Sequence, residues 1–261
     1  MSYPPERIVC LTEETVETLY LLGEERRIVG VSGYAVRPPQ VRRDKPRVSA
    51  FVSADVPKIM ALRPDLVLAF SDLQADIVRD LVKGGIAVHA FNQRDIAGIL
   101  AMIGMLGALV GCADRASALA DSLARRLDAV REAARGIGHR PRVYFEEWDE
   151  PMICGIRWVS ELIDVAGGTD VFADRARAPA AAGRIVGADD VIAAAPDVIV
   201  GSWCGKKFVP ARVAARPGFD EVPAVRRQAL HEIKSPIILQ PGPAALTDGL
   251  DRLRMIIATC G

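Results

Sequence analysis

A repeated segment constrains the fold of this chain more than any other feature of its sequence. Residues 57–70, PKIMALRPDLVLAF, align without a gap with residues 189–202, DDVIAAAPDVIVGS, which lie 132 positions further along. Each copy predicts a short amphipathic helix, a Pro-Asp pair and then a strand buried on both faces. Proline ends the helix because it disfavours helical geometry in the residue before it, and the β-branched run favours the strand. The repeat therefore predicts two halves of like topology.

A second match supports this division and defines the fold class. The segment RIVCL at Arg7 resembles RVYF at Arg142, 135 positions later, and acidic residues and a helix follow both. Strands and helices alternate in each half, as they do around parallel sheets. We therefore expect an α/β protein with two Rossmann-like lobes, each with a central parallel sheet. The predicted strands are Ile8–Leu11, Ile28–Val31, Leu66–Phe70, Ala87–Phe91, Arg142–Glu146, Val198–Gly201 and Ala229–Glu232.

The segment between the two halves predicts a stiff connection. Apolar residues recur at helical spacing from Asp114 to Ala134, a stretch that forms a helix about 30 Å long at 1.5 Å per residue. We predict an amino-terminal lobe over residues 1–94, a linking helical segment over 95–136 and a carboxyl-terminal lobe over 137–261.

Charge and hydropathy narrow the possible partners. The 33 basic residues balance the 33 acidic residues, so we expect no nucleic-acid partner. The longest uncharged run, residues 96–113, contains four glycines and is expected to be a buried helix rather than a membrane span. We expect no secretion signal ahead of the first strand, so a cytoplasmic location is one alternative.

The loops at the carboxyl ends of the strands are the expected ligand site, because ligands of open parallel sheets collect there. Aromatic residues make up only 5% of the chain, yet several fall at strand ends and favour a flat, apolar ligand. Polar and sulfur-containing residues accompany them. The ligand-binding candidates are Glu14, Tyr34, Phe51, Phe70, Trp148, Met152, Arg157, Trp203, Cys204 and Lys206.

An enzyme or metallochaperone that handles a metal or cofactor is the alternative hypothesis. The sequence contains no GxSxG, P-loop, HExxH or GxGxxG motif. Cys204, His231 and the Glu146-Glu147 pair could still act together if folding brought them within reach of one another. We predict no resident metal and no required cofactor, with His231 or Cys204 as the candidate axial ligand of a bound metal complex.

The chain resembles the substrate-binding proteins of ABC importers for vitamin B12 and iron–siderophore complexes, and it is most similar to their cobalamin-binding branch. The resemblance covers essentially the whole chain. It rests on RIVCLTEETVETLYLLGEERRIVGVSGY, IMALRPDLVLAF, VSELIDVAGG and VIAAAPDVIV, which occur in the family's order. It implies the class III periplasmic-binding-protein fold, in which one long backbone helix joins the two lobes.

The resemblance also implies a function. It implies a non-enzymatic protein, expected to be a monomer, that captures cobalamin, another corrinoid or a related metal chelate in the cleft between its lobes. The ligand would pass to an ABC permease, or be handed over inside the cell. A periplasmic or extracytoplasmic location is implied for an importer component.

Several residue roles follow from the same resemblance. Tyr34, Phe51 and Phe70 match aromatic positions that cobalamin binders bring to the cleft. Family members present an acidic residue on each lobe to the permease. The matching positions are Pro57 and Asp189, and Asp55 lies close to the first. Asp55 and Asp189 are therefore the candidates for transporter docking.

Overall fold

The computed structural model describes residues 3–136 and 138–260, and the chain divides into two compact units. The first unit comprises Met1–Gln93 and Ala97–Ser122, and the second comprises Arg94–Ile96 and Leu123–Gly261. The predicted lobe boundary at residue 137 lies outside the described residues.

The first unit contains a five-stranded parallel sheet with helices packed against it. The strand order is β3-β2-β1-β4-β5, so the first strand of the chain lies in the middle of the sheet and is fully buried. The strands are β1 (Ile8–Cys10), β2 (Ile28–Ser32), β3 (Arg47–Ser49), β4 (Leu66–Phe70) and β5 (Val88–Phe91). The helices are α1 (Glu13–Leu21), α2 (Val41–Asp44), α3 (Val56–Ala61) and α4 (Ala75–Lys83).

The second unit contains a mixed sheet in the order β10-β9-β6-β7, with β8 also paired to β6. All its pairings are parallel except that of β6 with β7. The strands are β6 (Arg142–Asp149), β7 (Met152–Cys154), β8 (Thr169–Asp170), β9 (Val198–Gly201) and β10 (Leu230–Glu232). The helices are α7 (Arg157–Val165), α8 (Ala173–Ala176), α9 (Ala188–Ala194), α10 (Pro210–Ala214), α11 (Pro223–Arg226), α12 (Ser235–Ile238) and α13 (Leu250–Ala258).

Two helices occupy the segment that was predicted to link the halves. They are α5 (Ile96–Leu109) and α6 (Ala113–Ala134), and the second confirms the predicted long helix. Gly111 separates them with a φ of 76°, a conformation that glycine adopts without steric cost. The division between the units falls within α6, after Ser122. No helix within the described residues is long and apolar enough to cross a membrane.

The sequence repeat gives the same local structure in both units. The Asp65 carboxylate accepts a hydrogen bond of 2.9 Å from the backbone N–H of Arg7. The equivalent Asp197 carboxylate accepts one of 2.9 Å from the backbone N–H of Arg142. In each unit the aspartate of the Pro-Asp pair therefore links the starts of two neighbouring strands, β4 with β1 in the first unit and β9 with β6 in the second.

The first strand of the second half is longer than the predicted Arg142–Glu146. Strand β6 does not end at Glu146 but continues to Asp149, and the chain then turns back into β7. Trp148 pairs with Ile153, and Asp149 pairs with Met152. The acidic side chains can lie on this largely buried strand because basic side chains from elsewhere in the unit pair with them.

Candidate functional site

The loop after β1 carries a buried group of carboxylic acids at the start of α1. Glu13, Glu14 and Glu17 are all largely inaccessible to solvent. Burial, together with the charges of the neighbouring Glu14 and Glu17 carboxylates, raises the pKa of Glu13 to about 8. Burial raises the pKa of Glu14 to about 7, although Thr12 Oγ1 donates a hydrogen bond to Glu14 Oε1 at 2.5 Å. Glu13 is therefore mostly protonated at neutral pH, and Glu14, a predicted ligand contact, is fully buried.

The aromatic candidates of the first unit differ in exposure. Tyr34, in the turn after β2, is 50% exposed, Phe51 is half-buried after β3, and Phe70 is buried at the end of β4. Two aliphatic side chains that the sequence analysis did not select are more exposed than any of these. Val52 is 65% exposed and Leu73 is 59% exposed, both in turns that follow strands of the same sheet. The carboxyl edge of this sheet therefore presents apolar surface to solvent.

The second unit contains a cavity of about 330 Å³ beside the carboxyl ends of β9 and β10. Of the predicted ligand contacts, Trp203 and Lys206 line it. Two further lysines give its rim a basic character. The lining residues are Trp203, Gly205, Lys206, Lys207, Glu232, Lys234, Ser235 and Pro236.

Trp203 forms a fixed wall of this cavity. It is only 2% exposed, and its Nε1–H donates a hydrogen bond of 2.9 Å to Glu146, which is completely buried. Glu146 also accepts hydrogen bonds from Tyr144 Oη at 2.9 Å and from Arg216 at 2.5 and 2.9 Å. Trp203, predicted as a ligand contact, is also part of the hydrophobic core of the unit, so its truncation should disturb the fold.

Two glycines shape the loop that carries Trp203. Gly201 allows the Phe208 ring to pack directly over the strand end, because a Cβ at this position would lie 1.9 Å from that ring. The Phe208 ring in turn packs edge-on against Trp203, with ring centroids 5.0 Å apart. Gly205 has a φ of 74°, and the turn closes where Lys206 N–H donates to the Trp203 carbonyl at 3.4 Å. The turn therefore sends Trp203 inward and Lys206 outward.

Lys206 joins the cavity rim to the β6–β7 hairpin. Its ammonium group pairs with the Asp149 carboxylate and lies 3.9 Å from the centroid of the half-buried Trp148 ring. Arg212 also approaches Asp149, at 3.4 Å. Burial raises the pKa of Asp149, but the hydrogen bond and charge of Lys206 and the charge of Arg212 outweigh it and lower the pKa overall. Lys206, Arg212 and Trp148 thus form one cluster with the Asp149 carboxylate.

Three other predicted contacts lie apart from the cavity lining. Met152 is partly buried and packs against the hydrophobic core of the unit. Arg157 is exposed and forms ion pairs with Asp95 at 3.1 Å and Glu161 at 2.9 Å. Cys204 is exposed in the turn between Trp203 and Gly205. Their role in ligand binding stays a prediction.

Of the groups proposed for the alternative metal-handling function, the two glutamates are held in ion pairs. Glu147 pairs with the buried Arg184 at 2.5 Å. His231 lies on β10, and burial lowers the pKa of its ring. Neither His231 nor Cys204 lines the cavity. Among the described residues, no group of three or more His, Cys, Asp or Glu side chains could hold a metal ion.

The two docking candidates are exposed at the starts of equivalent helices. Asp55 caps α3, where its carboxylate accepts a hydrogen bond of 3.0 Å from Lys58 N–H. Asp189 lies in the first turn of α9. Both carboxylates are accessible to a partner, and docking stays a prediction.

Comparison with known proteins defines the class of this chain. The model of the periplasmic binding protein family matches residues 8–236. The chain therefore belongs to this family. It is a substrate-binding protein of the transport class and not an enzyme, and the comparisons give no support to the metal-handling alternative.

Individual relatives are similar at moderate identity. The ABC transporter substrate-binding lipoprotein YvrC of Bacillus subtilis is 27% identical over 259 residues, which cover 95% of this chain and 79% of that protein. A cobalamin-binding protein of Halobacterium salinarum is 29% identical over 173 residues. That match covers 65% of this chain and 47% of the relative, so the chain spans about half the length of that protein.

Solved structures share the fold over nearly the whole chain. The vitamin B12 binding protein BtuF of Vibrio cholerae has a TM-score of 0.77 at 22% identity and covers 98% of both chains. The haem-binding protein RhuT of Roseiflexus sp. RS-1 has a TM-score of 0.81 at 24% identity, over 97% of this chain and 99% of that one. These neighbours confirm the predicted class III periplasmic-binding-protein fold.

Proposed function

We propose that this chain is the extracytoplasmic substrate-binding component of an ABC importer, and that its cargo is cobalamin or another corrinoid. Membership of the periplasmic binding protein family supports the transport role. Relatives named for cobalamin binding support the class of cargo. An ABC permease is the proposed partner, with Asp55 and Asp189 as the contacts, and the protein acts as a monomer without a resident cofactor.

The exposed apolar surface of the first unit is the main observation that supports a corrinoid as the ligand. Tyr34, Val52 and Leu73 are each at least half exposed at one edge of the sheet. Exposed apolar side chains on several loops at the same edge of a sheet favour a binding surface there. A corrin ring offers a large apolar face of the kind that such a surface would cover. Burial of the exposed half of Tyr34 against it would remove about half of the roughly 150–250 Å² that a fully buried aromatic side chain withdraws from solvent.

The cavity of the second unit suits the periphery of the same ligand. Lys206, Lys207 and Lys234 stand around it, and Trp203 forms its apolar wall. Ammonium groups donate hydrogen bonds to amide oxygens and pair with phosphate, and a cobalamin carries both at its edge. The same lysines would also suit carboxylates, so haem and ferric siderophores are the ligands to exclude by experiment.

Titration calorimetry on the purified protein tests the proposal directly. We expect cyanocobalamin to bind with a dissociation constant of about 1 µM or tighter. Haemin and a ferric hydroxamate siderophore are titrated separately under the same conditions. Tighter binding of either would replace the corrinoid by that ligand, and absence of binding by all three would refute the proposed cargo class.

A further inference from the structure

A single buried amide connects three loops at the carboxyl edge of the first sheet. Gln74 is completely buried, at the end of the short 3-10 turn Asp72–Gln74. Its Nε2 donates hydrogen bonds to the Phe51 carbonyl at 2.8 Å and to the Leu11 carbonyl at 3.4 Å. Its Oε1 accepts one from Phe70 N–H at 3.0 Å. Leu11 follows β1, Phe51 follows β3 and Phe70 ends β4, so one side chain spans most of the sheet edge.

The turn that carries Phe51 accepts the hydrogen bond from Gln74 on its backbone. It is closed internally, where Ala50 N–H donates to the Ser53 carbonyl at 2.8 Å and Ser49 bridges to Ala54. Strand β3 lies at the sheet edge, two places from β1. The hydrogen bond from Gln74 therefore links an edge turn to the loops of two central strands.

The turn that carries Leu73 is held in an unusual backbone conformation. Ser71 has a φ of 62° and a ψ of 171°, which a residue other than glycine adopts only at a cost in energy. Its N–H donates to the Phe91 carbonyl at 2.9 Å, and its Oγ accepts from Leu73 N–H at 3.2 Å. The backbone N–H of Gln74 also donates to the Ser71 carbonyl at 3.3 Å. Strain that neighbouring contacts maintain is common where a surface must be arranged before a ligand binds.

We infer that Gln74 is a positioning residue for ligand binding, which fixes the turn of Phe51 and Val52 and the turn of Leu73 as one prearranged apolar surface. The inference rests on the proposed function, because it assigns the surface to the apolar face of the ligand. A surface fixed beforehand binds more tightly, since less conformational entropy is lost on binding. Glutamine suits the role because its amide both donates and accepts, and an apolar side chain at this position would make none of the three hydrogen bonds.

Cyanocobalamin affinity in a double-mutant cycle tests this role. We expect Gln74→Ala to weaken binding about tenfold in the wild-type background and clearly less in a Phe51→Ala background. Because Gln74 would act in part through the position of Phe51, part of the cost of its removal disappears once the Phe51 ring is gone. Equal losses in both backgrounds would overturn the inference. So would wild-type affinity in the single Gln74→Ala variant.

Two further variants separate positioning from general stability. Gln74→Glu keeps the acceptor for Phe70 N–H but, when ionised, loses both donated hydrogen bonds, so we expect it to weaken binding as well. Ile59→Val is the matched control, because Ile59 is a buried aliphatic residue of the same unit. It should lower the melting temperature and leave cyanocobalamin affinity unchanged. A loss of affinity in Ile59→Val that matches its loss of stability would favour a purely structural role.

Hydrogen exchange without ligand keeps this test independent of the cargo. We expect Gln74→Ala and Gln74→Glu to accelerate amide exchange in residues 50–54 and 70–74, and Ile59→Val to leave these segments unchanged. Unchanged exchange in the Gln74 variants would overturn the positioning role, whatever the protein binds. If the exchange rates change but cyanocobalamin, haemin and the ferric siderophore all fail to bind wild-type protein, the proposed function fails while the structural link between the loops stands. In that case, the assignment of the surface to a ligand is refuted together with the proposed function.

Discussion

Arg216 and Glu146 form a two-point ion pair inside the second unit, with nitrogen–oxygen distances of 2.5 and 2.9 Å. The Glu146 side chain is fully buried and that of Arg216 is only 17% exposed. The same carboxylate orients Trp203, so the pair supports the wall of the basic cavity. A buried carboxylate is tolerated here because charge and hydrogen bonds on several sides replace the water it has lost.

Removal of one partner of this pair should destabilise the protein strongly. We expect Arg216→Ala to lower the free energy of unfolding by about 3–5 kcal/mol, because it leaves a buried carboxylate without its counter-charge. The double variant Glu146→Gln, Arg216→Met removes both charges and should cost clearly less. Urea denaturation followed by circular dichroism measures both. A double variant as unstable as Arg216→Ala would contradict this explanation.

Trp203 should contribute strongly to the stability of the second unit. We expect Trp203→Ala to cost about 3–5 kcal/mol, since it removes a large buried side chain from the core. Trp203→Phe keeps an aromatic ring but loses the hydrogen bond to Glu146, so it should cost about 1.5–3 kcal/mol. Trp148→Ala is the matched control, because that ring is only half-buried beneath Lys206. The denaturation midpoint should be lowest for Trp203→Ala, higher for Trp203→Phe and highest of the three for Trp148→Ala. A Trp203→Ala protein as stable as wild type would place the ring outside the core.

The buried acids of α1 should make stability depend on pH. The pKa of Glu13 is raised from 4.5 to about 8 in the folded protein. The folded state therefore keeps a proton that the unfolded state releases above about pH 4.5. The contribution of Glu13 to stability is fully present below that pH, is lost progressively as the pH rises, and changes little above about 8.

The Glu13→Gln variant isolates this contribution. Glutamine carries no proton to lose, so the variant should be more stable than wild type at pH 8 by on the order of 2 kcal/mol and similar to it at pH 4.5. Thermal unfolding at both pH values measures the difference. Glu6→Gln, a change at an exposed site, is the control and should leave the two melting curves alike. Equal effects of Glu13→Gln at both pH values would refute the assignment.

The lysines of the cavity should discriminate ligands by charge. Lys207→Ala and Lys234→Ala should each weaken cyanocobalamin binding by less than about fivefold, because an exposed charge contributes under about 1 kcal/mol. The paired reversal Lys207→Glu, Lys234→Glu should reduce binding of the dianionic haemin more than that of cyanocobalamin. Calorimetry at low and high salt checks this, since salt screens exposed charges. An equal loss for both ligands, independent of salt, would show that these lysines do not face the ligand.

The sequence by itself determined the fold class and the division into similar halves. The signals are local: a Pro-Asp pair, a β-branched run and a helical period. Arg63 and Ala195, which precede the two Pro-Asp pairs, have φ values of 47° and 42°, so the repeat persists down to a single backbone torsion. The weakly patterned elements were missed. The three-residue strand β3 is too short to show a period, and the β6–β7 hairpin was hidden by its acidic residues.

The tertiary structure alone decided which polar side chains are buried and what they hold. Arg216 lies 70 positions from Glu146, and Gln74 lies 63 positions from Leu11. Such pairs leave no periodic trace in a single sequence, because a hydrogen bond forms between side chains that the fold brings together rather than between neighbours in the chain. For the same reason the sequence selected Trp203 by residue type, and only packing against Phe208 and Glu146 showed that the ring is a wall of the core. Local patterns fix secondary structure, while the partners of a buried polar or aromatic group depend on the complete fold.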